Sequence, residues 1–224
     1  MMRRLRRMLN PVDVMGLRRV QPVSRSFGFD RGTPIDRYYI ERFLEKYRAM
    51  IRGNVLEIAD SSYSRRYAAE DSSFHILTKD VPPYGETMID GDLTNSSSLP
   101  QGTMDCFICT QTFPFIYDIK AAIHSCHNVL SDKGVLLCTV SGLSQISRYD
   151  MERWGDYWRF TDLSIRKLME EVFEPANVEV ITYGNIAAVI AGLQGIAVED
   201  LDDTSILEPV DVDYPMIIGV MARK

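Results

Sequence analysis

The amino-acid sequence predicts a single α/β domain built on a doubly wound, mostly parallel sheet. Short apolar segments of strand length alternate with longer segments in which apolar residues recur every three or four positions. Two strand segments, 105–110 and 135–140, are apolar on both faces, which is typical of parallel strands covered by helices. Strands separated by helices favour a parallel sheet with a helical layer on each face.

The first predicted helix begins at a proline and ends at a glycine. Thr33 is expected to cap it, Pro34 suits its first position, and Asp36 complements the helix dipole. Apolar residues at four-residue spacing extend the helix to about residue 51, and Gly53 ends it.

The remaining elements are predicted from apolar runs and their polar boundaries. Strands are predicted at 55–58, 73–77, 86–90, 105–110, 135–140, 178–182 and 214–222. Helices are predicted at 64–70, 119–130, 162–173 and 185–201. Thr161 is expected to cap the helix at 162–173, with Leu163 facing inward. Residues 131–134 are expected to be a turn before the fifth strand.

Composition and length exclude several classes of protein. The chain has 224 residues, of which 46% are hydrophobic and 25% charged, so it can bury one sizeable core. No apolar run approaches the roughly 20 residues of a membrane-spanning helix, so no integral membrane association is expected.

The four cysteines favour a reduced protein. Cys106, Cys109 and Cys138 lie in apolar runs, where a thiol behaves as a small apolar group. Cys106 and Cys109 have the two-residue gap of a metal or redox pair, but no second pair follows, so no metal site is expected. A cytoplasmic location is the resulting interpretation.

The net charge of −6 is unevenly distributed. Residues 1–28 hold seven arginines and one acid, and the other 196 residues hold 18 bases and 30 acids. We therefore divide the chain into a basic arm, 1–32, and a domain, 33–224. An acidic body argues against a nucleic-acid partner. The arm could touch an anionic membrane surface or a nucleic acid. More often such an arm folds onto its own domain or onto a partner subunit, which leaves a homodimer through the arm as an alternative.

Several stretches, in order, resemble a class I S-adenosylmethionine-dependent methyltransferase of the type found near glycosyltransferases. They are Val55–Asp60, Ile89–Leu93, Met104–Cys109, Val129–Leu137 and Asp156–Thr161. The resemblance covers residues 54–224. It implies a Rossmann-like, seven-stranded sheet with an antiparallel last strand, here preceded by an N-terminal helical extension, and S-adenosylmethionine as the cofactor.

The loop after the first strand departs from the family pattern. The three glycines that the family uses here fall on Ala59, Ser61 and Tyr63, so the glycine loop is degenerate. Alanine and serine are still small, and serine hydroxyls can donate hydrogen bonds. Asp60 adds a second carboxylate beside Glu57, which suits a cationic ligand.

The resemblance assigns cofactor contacts to the ends of the first four strands. The residues are Glu57, Ala59, Asp60, Ser61, Asp80, Asp92, Leu93, Gln111 and Thr112. For Glu57 the alternative is a purely structural role in hydrogen bonding, because a buried charge needs partners. For Asp92 the alternative is a simple turn.

A loop rich in aromatic and charged residues follows the fifth strand, where the fold faces its acceptor. Acceptor contacts are predicted for Arg148, Tyr149, Trp154, Trp158 and Arg159, because rings stack on sugars and charges bind hydroxyl and phosphate groups. The alternative is a helix entrance held by packing of Trp158 and by pairing of Arg159 with an acid. Asp150 is the candidate general base.

These observations predict an O-methyltransferase that acts on a sugar-containing or other small hydroxylated acceptor. The alternative is a catalytically silent, methyltransferase-like scaffold in a glycan or natural-product assembly complex. A nicotinamide-dependent oxidoreductase is disfavoured, because the sequence lacks a glycine-rich dinucleotide loop.

Overall fold

The computed structural model describes residues 20–79 and 87–224. Seven strands are formed by Asn54–Ile58 (β1), Ser73–Thr78 (β2), Met88–Asp90 (β3), Met104–Thr110 (β4), Leu130–Ser141 (β5), Val178–Tyr183 (β6) and Ile217–Arg223 (β7). The α-helices are Ile35–Lys46 (α1), Ser62–Tyr67 (α2), Ile119–Val129 (α3), Arg148–Met151 (α4), Asp162–Glu170 (α5) and Ile186–Gln194 (α6). Short 3₁₀ turns occupy Arg48–Met50, Ser96–Ser98, Phe113–Phe115, Pro175–Asn177, Val198–Asp200 and Thr204–Leu207. Within the described ranges, no helix is both long and apolar enough to cross a bilayer.

The strands form one mixed sheet in the order β3-β2-β1-β4-β5-β7-β6. The pairs among β1 to β5 are parallel, whereas β7 lies antiparallel between β5 and β6. The strand order reverses between β1 and β4, so the first three strands extend one way and the next two the other. The predicted Rossmann-like sheet with an antiparallel last strand is confirmed, and α1 is the predicted N-terminal helix.

Two apolar layers cover the two faces of the sheet. Alternate residues of β4 face opposite layers: Phe107 packs with α3 and α5, whereas Ile108 packs with α1 and α6. Both side chains are fully buried, as expected of a central strand in a doubly wound sheet.

Local structure corrects three predictions made from the sequence. Thr33 does not cap α1, because its hydroxyl and backbone N–H both donate to Glu199 at 2.7 Å. Residues 131–134 belong to β5, where the register with β4 shifts, and are not a separate turn. Leu163 is 61% exposed; Ile165 and Met169 form the buried face of α5, because they lie one helical turn apart.

The described part of the basic arm is fixed to the domain. Arg31 makes a two-point ion pair with Asp200, at 2.6 and 2.7 Å. The backbone N–H groups of Val23 and Ser24 donate to the carbonyl of Gln194, at the end of α6. Residues 20–33 therefore lie against 194–200. The first 19 residues of the arm lie outside the described residues, and the boundary at residue 33 stays a prediction.

Two glycines with positive φ allow a matched test of packing at the start of β1. Gly53 (φ +71°) lies where an added Cβ would clash with the Asp105 carboxylate, whereas Gly102 (φ +66°) has open space around it. Asp105 accepts the N–H of Asn54 at 2.9 Å and the hydroxyl of Ser131 at 2.8 Å. Gly102→Ala should cost about 1 kcal/mol for backbone strain alone, and Gly53→Ala about 2–3 kcal/mol, because Asp105 is also displaced.

The measurement is urea unfolding of both variants. Equal losses at the two positions would show that Asp105 does not hold the entry to β1.

Candidate functional site

The candidate site lies at the carboxyl ends of β1 and β4. In open α/β sheets, the point at which the strand order reverses leaves a crevice outside these ends, where ligands bind. The predicted cofactor residues that the structure describes lie within or just after β1, β3 and β4, so the fold places them along one edge of the sheet.

Two residues at this edge have left-handed backbone conformations although neither is a glycine. Ala59 (φ 68°) follows β1, and Gln111 (φ 49°) follows β4. The Ala59 N–H donates to the carbonyl of Leu77 at 3.0 Å, and the Gln111 N–H donates to that of Thr139 at 2.8 Å. Such strain costs roughly 1–3 kcal/mol and clusters at ligand sites. Ala59 thus adopts a conformation that glycine favours.

Glu57 binds the first turn of α2. Its side chain is 3% exposed, and its two carboxylate oxygens accept the N–H groups of Tyr63 at 3.1 Å and Ser64 at 2.8 Å. Burial raises the pKa of Glu57, and these hydrogen bonds oppose the rise. Glu57 therefore has the structural hydrogen-bonding role that was the alternative prediction from the sequence. Cofactor contact by Glu57 stays a prediction.

The rest of the β1–α2 loop is open to solvent on one side. Ala59 and Asp60 are exposed. Asp60 accepts the N–H of Ser62 at 2.7 Å, and the Ser61 hydroxyl accepts a hydrogen bond from Arg65 at 2.8 Å. A ligand can therefore approach the loop backbone at Ala59 without displacing a buried side chain.

The adenine side of the predicted site is partly described. Asp92 forms an ion pair with Lys79 at 2.7 Å and accepts two hydrogen bonds from Thr94 at 2.8 Å. Burial raises the pKa of Asp92, but the hydrogen bonds from Lys79 and Thr94 outweigh it, so the pKa is lowered. Leu93 is buried in the core. Asp80 lies outside the described residues.

A cleft of about 720 Å³ opens beside the ends of β4 and β5. Of the predicted site residues, Gln111, Arg148, Tyr149, Asp150 and Arg159 line it. The described lining does not include Glu57, Ala59, Asp60, Ser61, Asp92, Leu93, Thr112, Trp154 or Trp158. The structure thus separates the predicted residues into a loop group and a cleft group.

The opposite wall of the cleft comes from residues that the sequence analysis did not assign to the site. They are Arg25, Phe29, Asp36, Arg37 and Tyr63, among others. In the sequence, the only sign of this wall was the charged pair Asp36 and Arg37. It lies between two buried residues of α1, Ile35 and Tyr39.

Arg37 connects this wall to the first turn of α2. Its guanidinium donates to the Tyr63 hydroxyl at 2.7 Å and lies 5.4 Å from the ring centres of Phe29 and Tyr63. Burial raises the pKa of Tyr63 to about 12. Tyr63, which occupies the third glycine position of the loop, therefore reaches the cleft. Asp36 is half-buried beside it, and burial raises the pKa of its carboxyl group.

Arg159 is held by the protein. It donates to the Asp156 carboxylate at 2.6 and 3.0 Å, and Asp156 also accepts the N–H of Ser147 at 2.9 Å. The carbonyls of Ser144 and Gln145 accept further hydrogen bonds from Arg159. Arg159 is thus paired with an acid, Asp156, which was the alternative prediction for this residue. These bonds fix the segment that borders the cleft.

Trp158 belongs to an exposed group of rings outside the cleft lining. Its indole N–H donates to the carbonyl of Ile116 at 3.0 Å, and its ring stacks on Tyr117 at 6.0 Å. Trp154 is 49% exposed. The Thr112 hydroxyl donates to the carbonyl of Thr110 at 3.1 Å.

Comparison with known proteins relates part of the chain to a known family. Residues 43–138 match the model of a family described as a methyltransferase domain. These 96 of the 224 residues are therefore similar to a methyltransferase domain. The match runs from α1 to β5 and includes β1 and β4, the two strands between which the strand order reverses. The match and the fold agree with the S-adenosylmethionine-dependent methyltransferase that the sequence predicts, and with S-adenosylmethionine as the cofactor.

Solved structures share the fold at low sequence identity. A SAM-dependent methyltransferase from Archaeoglobus fulgidus is 11% identical, with a TM-score of 0.52 over 84% of this chain and 94% of that one. An S-adenosylmethionine-dependent methyltransferase from Mesorhizobium loti is 14% identical, with a TM-score of 0.50 over 85% and 98%. A phosphoethanolamine N-methyltransferase from Haemonchus contortus, solved with S-adenosyl-L-methionine, is 13% identical, with a TM-score of 0.52 over 84% and 52%. No curated protein matches the sequence significantly.

The residues at this edge fit the cofactor that the sequence predicts. The carboxylates of Glu57 and Asp60 lie at the end of β1 and that of Asp92 follows β3, and a sulfonium compound with an amino group is cationic. Ala59 keeps the left-handed conformation and is exposed, which leaves the loop backbone accessible.

Glu57→Ala should abolish binding of the cofactor. The substitution leaves two buried backbone donors without a partner, which costs about 1–3 kcal/mol of stability per donor and loosens the loop. Binding of S-adenosylhomocysteine is measured by calorimetry at a temperature at which circular dichroism shows the variant folded. Glu70→Ala, an exposed change at the far end of the same region, is the control. Unchanged affinity in folded Glu57→Ala would rule out this loop as the cofactor site.

Asp156→Asn should destabilise the domain at neutral pH and not in acid. Burial raises the pKa of Asp156, but hydrogen bonds from Arg159 and Ser147 outweigh it, so the pKa falls below its ordinary value of 3.8. A lowered folded-state pKa gives stability that is present above pH 3.8 and lost as the pH falls through the folded value.

The expected loss at pH 7 is about 2 kcal/mol, because the pair is only partly shielded from water. Urea unfolding from pH 7 to pH 3 measures it, with the exposed Asp132→Asn as the control. A pH-independent difference between Asp156→Asn and the wild type would contradict the ion-pair origin.

Proposed function

We propose that the chain methylates a hydroxyl group of a sugar-containing or other small hydroxylated acceptor bound in the cleft. The supporting observation is that Gln111 both follows β4 at the cofactor edge and lines the cleft. Tyr63 joins the same two regions from the other side. An acceptor in the cleft would therefore lie beside the cofactor loop, as an in-line transfer requires.

S-adenosylmethionine supplies the electrophilic methyl group when it is bound. Glu57 would hold the loop that receives it, and Ala59, Asp60 and Ser61 would contribute the loop surface. Asp80 and Asp92 would serve the ribose and adenine side, with Leu93, Gln111 and Thr112 bordering the site.

The aromatic residues around the cleft support a sugar-containing acceptor. Tyr149 lines the cleft and is 66% exposed. Tyr157 and Trp158 donate their backbone N–H groups to the carbonyl of Pro114, which also lines the cleft. Exposed rings near a cleft offer flat apolar faces, and their few rotatable bonds keep the entropic cost of binding low. Arg148 and Arg159 supply hydrogen-bond donors nearby.

Two carboxylates in the cleft are candidates for the general base. Asp150, which the sequence suggested, accepts the hydroxyl of Ser147 at 2.5 Å, so one of its oxygens is engaged. Asp36 accepts the N–H of Arg37 at 2.7 Å, and burial raises the pKa of its carboxyl group. A carboxylate with a raised pKa is a stronger base at neutral pH, so we assign the role to Asp36 before Asp150.

Asp36→Asn should reduce kcat by about 10²–10⁴-fold and leave S-adenosylhomocysteine affinity unchanged. The assay transfers labelled methyl from S-adenosylmethionine to a panel of monosaccharides and nucleotide sugars. The rate should rise through the raised pKa of Asp36 as the pH increases, and this rise should vanish in the variant. Asp150→Asn is the matched control. A greater loss in Asp150→Asn would reverse the assignment, and no transfer to any hydroxylated acceptor would overturn the proposed function.

The remaining expectations stay predictions. A silent scaffold was favoured by the missing glycines, but Ala59 takes the conformation that glycine would supply, which favours a binding loop. The cytoplasmic location, the association with glycosyltransferases and a homodimer through residues 1–32 each need direct tests. The same applies to the absence of a nucleic-acid partner.

A further inference from the structure

Three arginines that line the cleft have no carboxylate partner among the described residues. Arg25, Arg37 and Arg148 make no ion pair with any acid in the part of the chain that the structure describes. The fourth arginine of the cleft, Arg159, is neutralised by Asp156. Guanidinium groups stay charged at all physiological pH values, so this positive charge is permanent.

The partners of the unpaired arginines are neutral. Arg25 donates to the side-chain oxygen of Gln21, and Arg148 donates to the sulfur of Met151 at 3.1 Å. A thioether is a weak acceptor, and each guanidinium has five N–H donors. Arg25 and Arg148 therefore keep most of their hydrogen-bonding capacity for a ligand. Arg37 is more firmly held, between Tyr63 and Phe29.

Arg25 and Arg148 come from different segments that meet at the cleft. Arg25 lies on the segment 20–33, and Arg148 begins α4. The Gln145 side-chain amide donates to the carbonyl of Arg25 at 3.3 Å, which joins the two segments. Both arginines are exposed, so an entering ligand can reach them.

The charge of the cleft is opposite to that of the surrounding domain. Residues 29–224 hold 18 bases and 30 acids, a net charge of −12. Among the described residues that line the cleft, three unpaired arginines face two acids, Asp36 and Asp150. A positive cleft in an acidic body concentrates anions.

We infer that the acceptor carries a phosphate group, which Arg25 and Arg148 bind at the mouth of the cleft with Arg37 deeper. This rests on the proposed function and adds the class of acceptor. A phosphate oxyanion accepts paired N–H donors from more than one guanidinium at once. A sugar phosphate and a nucleoside diphosphate sugar share this chemistry.

The test compares four probes by calorimetry at low salt: glucose, glucose 1-phosphate, UDP-glucose and glucuronic acid. Glucose 1-phosphate should bind at least tenfold more tightly than glucose. The double variant Arg25→Gln, Arg148→Gln should lose this preference. The double variant Arg166→Gln, Lys167→Gln on α5, which removes an equal charge outside the cleft, should keep it. Tighter binding of UDP-glucose than of glucose 1-phosphate supports the nucleotide sugar, and equal or weaker binding supports the sugar phosphate.

Three outcomes would overturn the inference: no preference for glucose 1-phosphate over glucose, an unchanged preference in the double arginine variant, or glucuronic acid binding as tightly as the phosphate. Titration with S-adenosylhomocysteine separates this inference from the proposed function. Wild-type chain that binds the phosphate but not S-adenosylhomocysteine refutes methyl transfer and leaves the anion site standing. Equal S-adenosylhomocysteine affinity in the wild type and the double arginine variant shows that the arginines serve the acceptor.

Discussion

The candidate site depends on one buried carboxylate, that of Glu57, which binds the first turn of α2. The two N–H groups that it accepts belong to Tyr63 and Ser64, at the start of a six-residue helix with no side-chain cap of its own. A helix this short has little intrinsic stability, so its position depends on such contacts. Since Tyr63 also receives the hydrogen bond from Arg37, the same carboxylate indirectly positions one wall of the cleft.

A second constraint acts on the backbone itself. Ala59 and Gln111 both hold left-handed conformations at the two strands that flank the switch point. Each is held by a hydrogen bond to a neighbouring strand, so the sheet imposes the strain and also keeps it in place. The replacement of glycine by alanine at 59 therefore changes the energy of the loop more than its shape. The number of glycines in the sequence therefore did not predict the backbone conformation of the loop.

The sheet was predictable from the sequence, and the cleft was predictable only in part. Apolar runs such as 105–110 have the same meaning in any context, because a strand buried on both faces needs them. The wall at Asp36 and Arg37 was not predictable, because charges in a first helical turn equally suit the helix dipole. The predicted cap at Thr33 was wrong, because the Thr33 hydroxyl donates to Glu199, which is more than 160 residues away in the sequence. The arginine at 159 was assigned to the acceptor on sequence, but its nearest acid lies three residues before it.

The position of β7 has a consequence for the order in which the domain forms during synthesis. Val178–Tyr183 pairs with β7 alone among the described strands, and β7 is translated some 35 residues later. Until then, β6 presents an open edge to other nascent chains, and β5 lacks one neighbour. Insertion of β7 between β5 and β6 pairs residues that are far apart in the sequence, so it is a slow step of folding. Aggregation of newly made chains should therefore be most severe in the interval when β6 has left the ribosome and β7 has not.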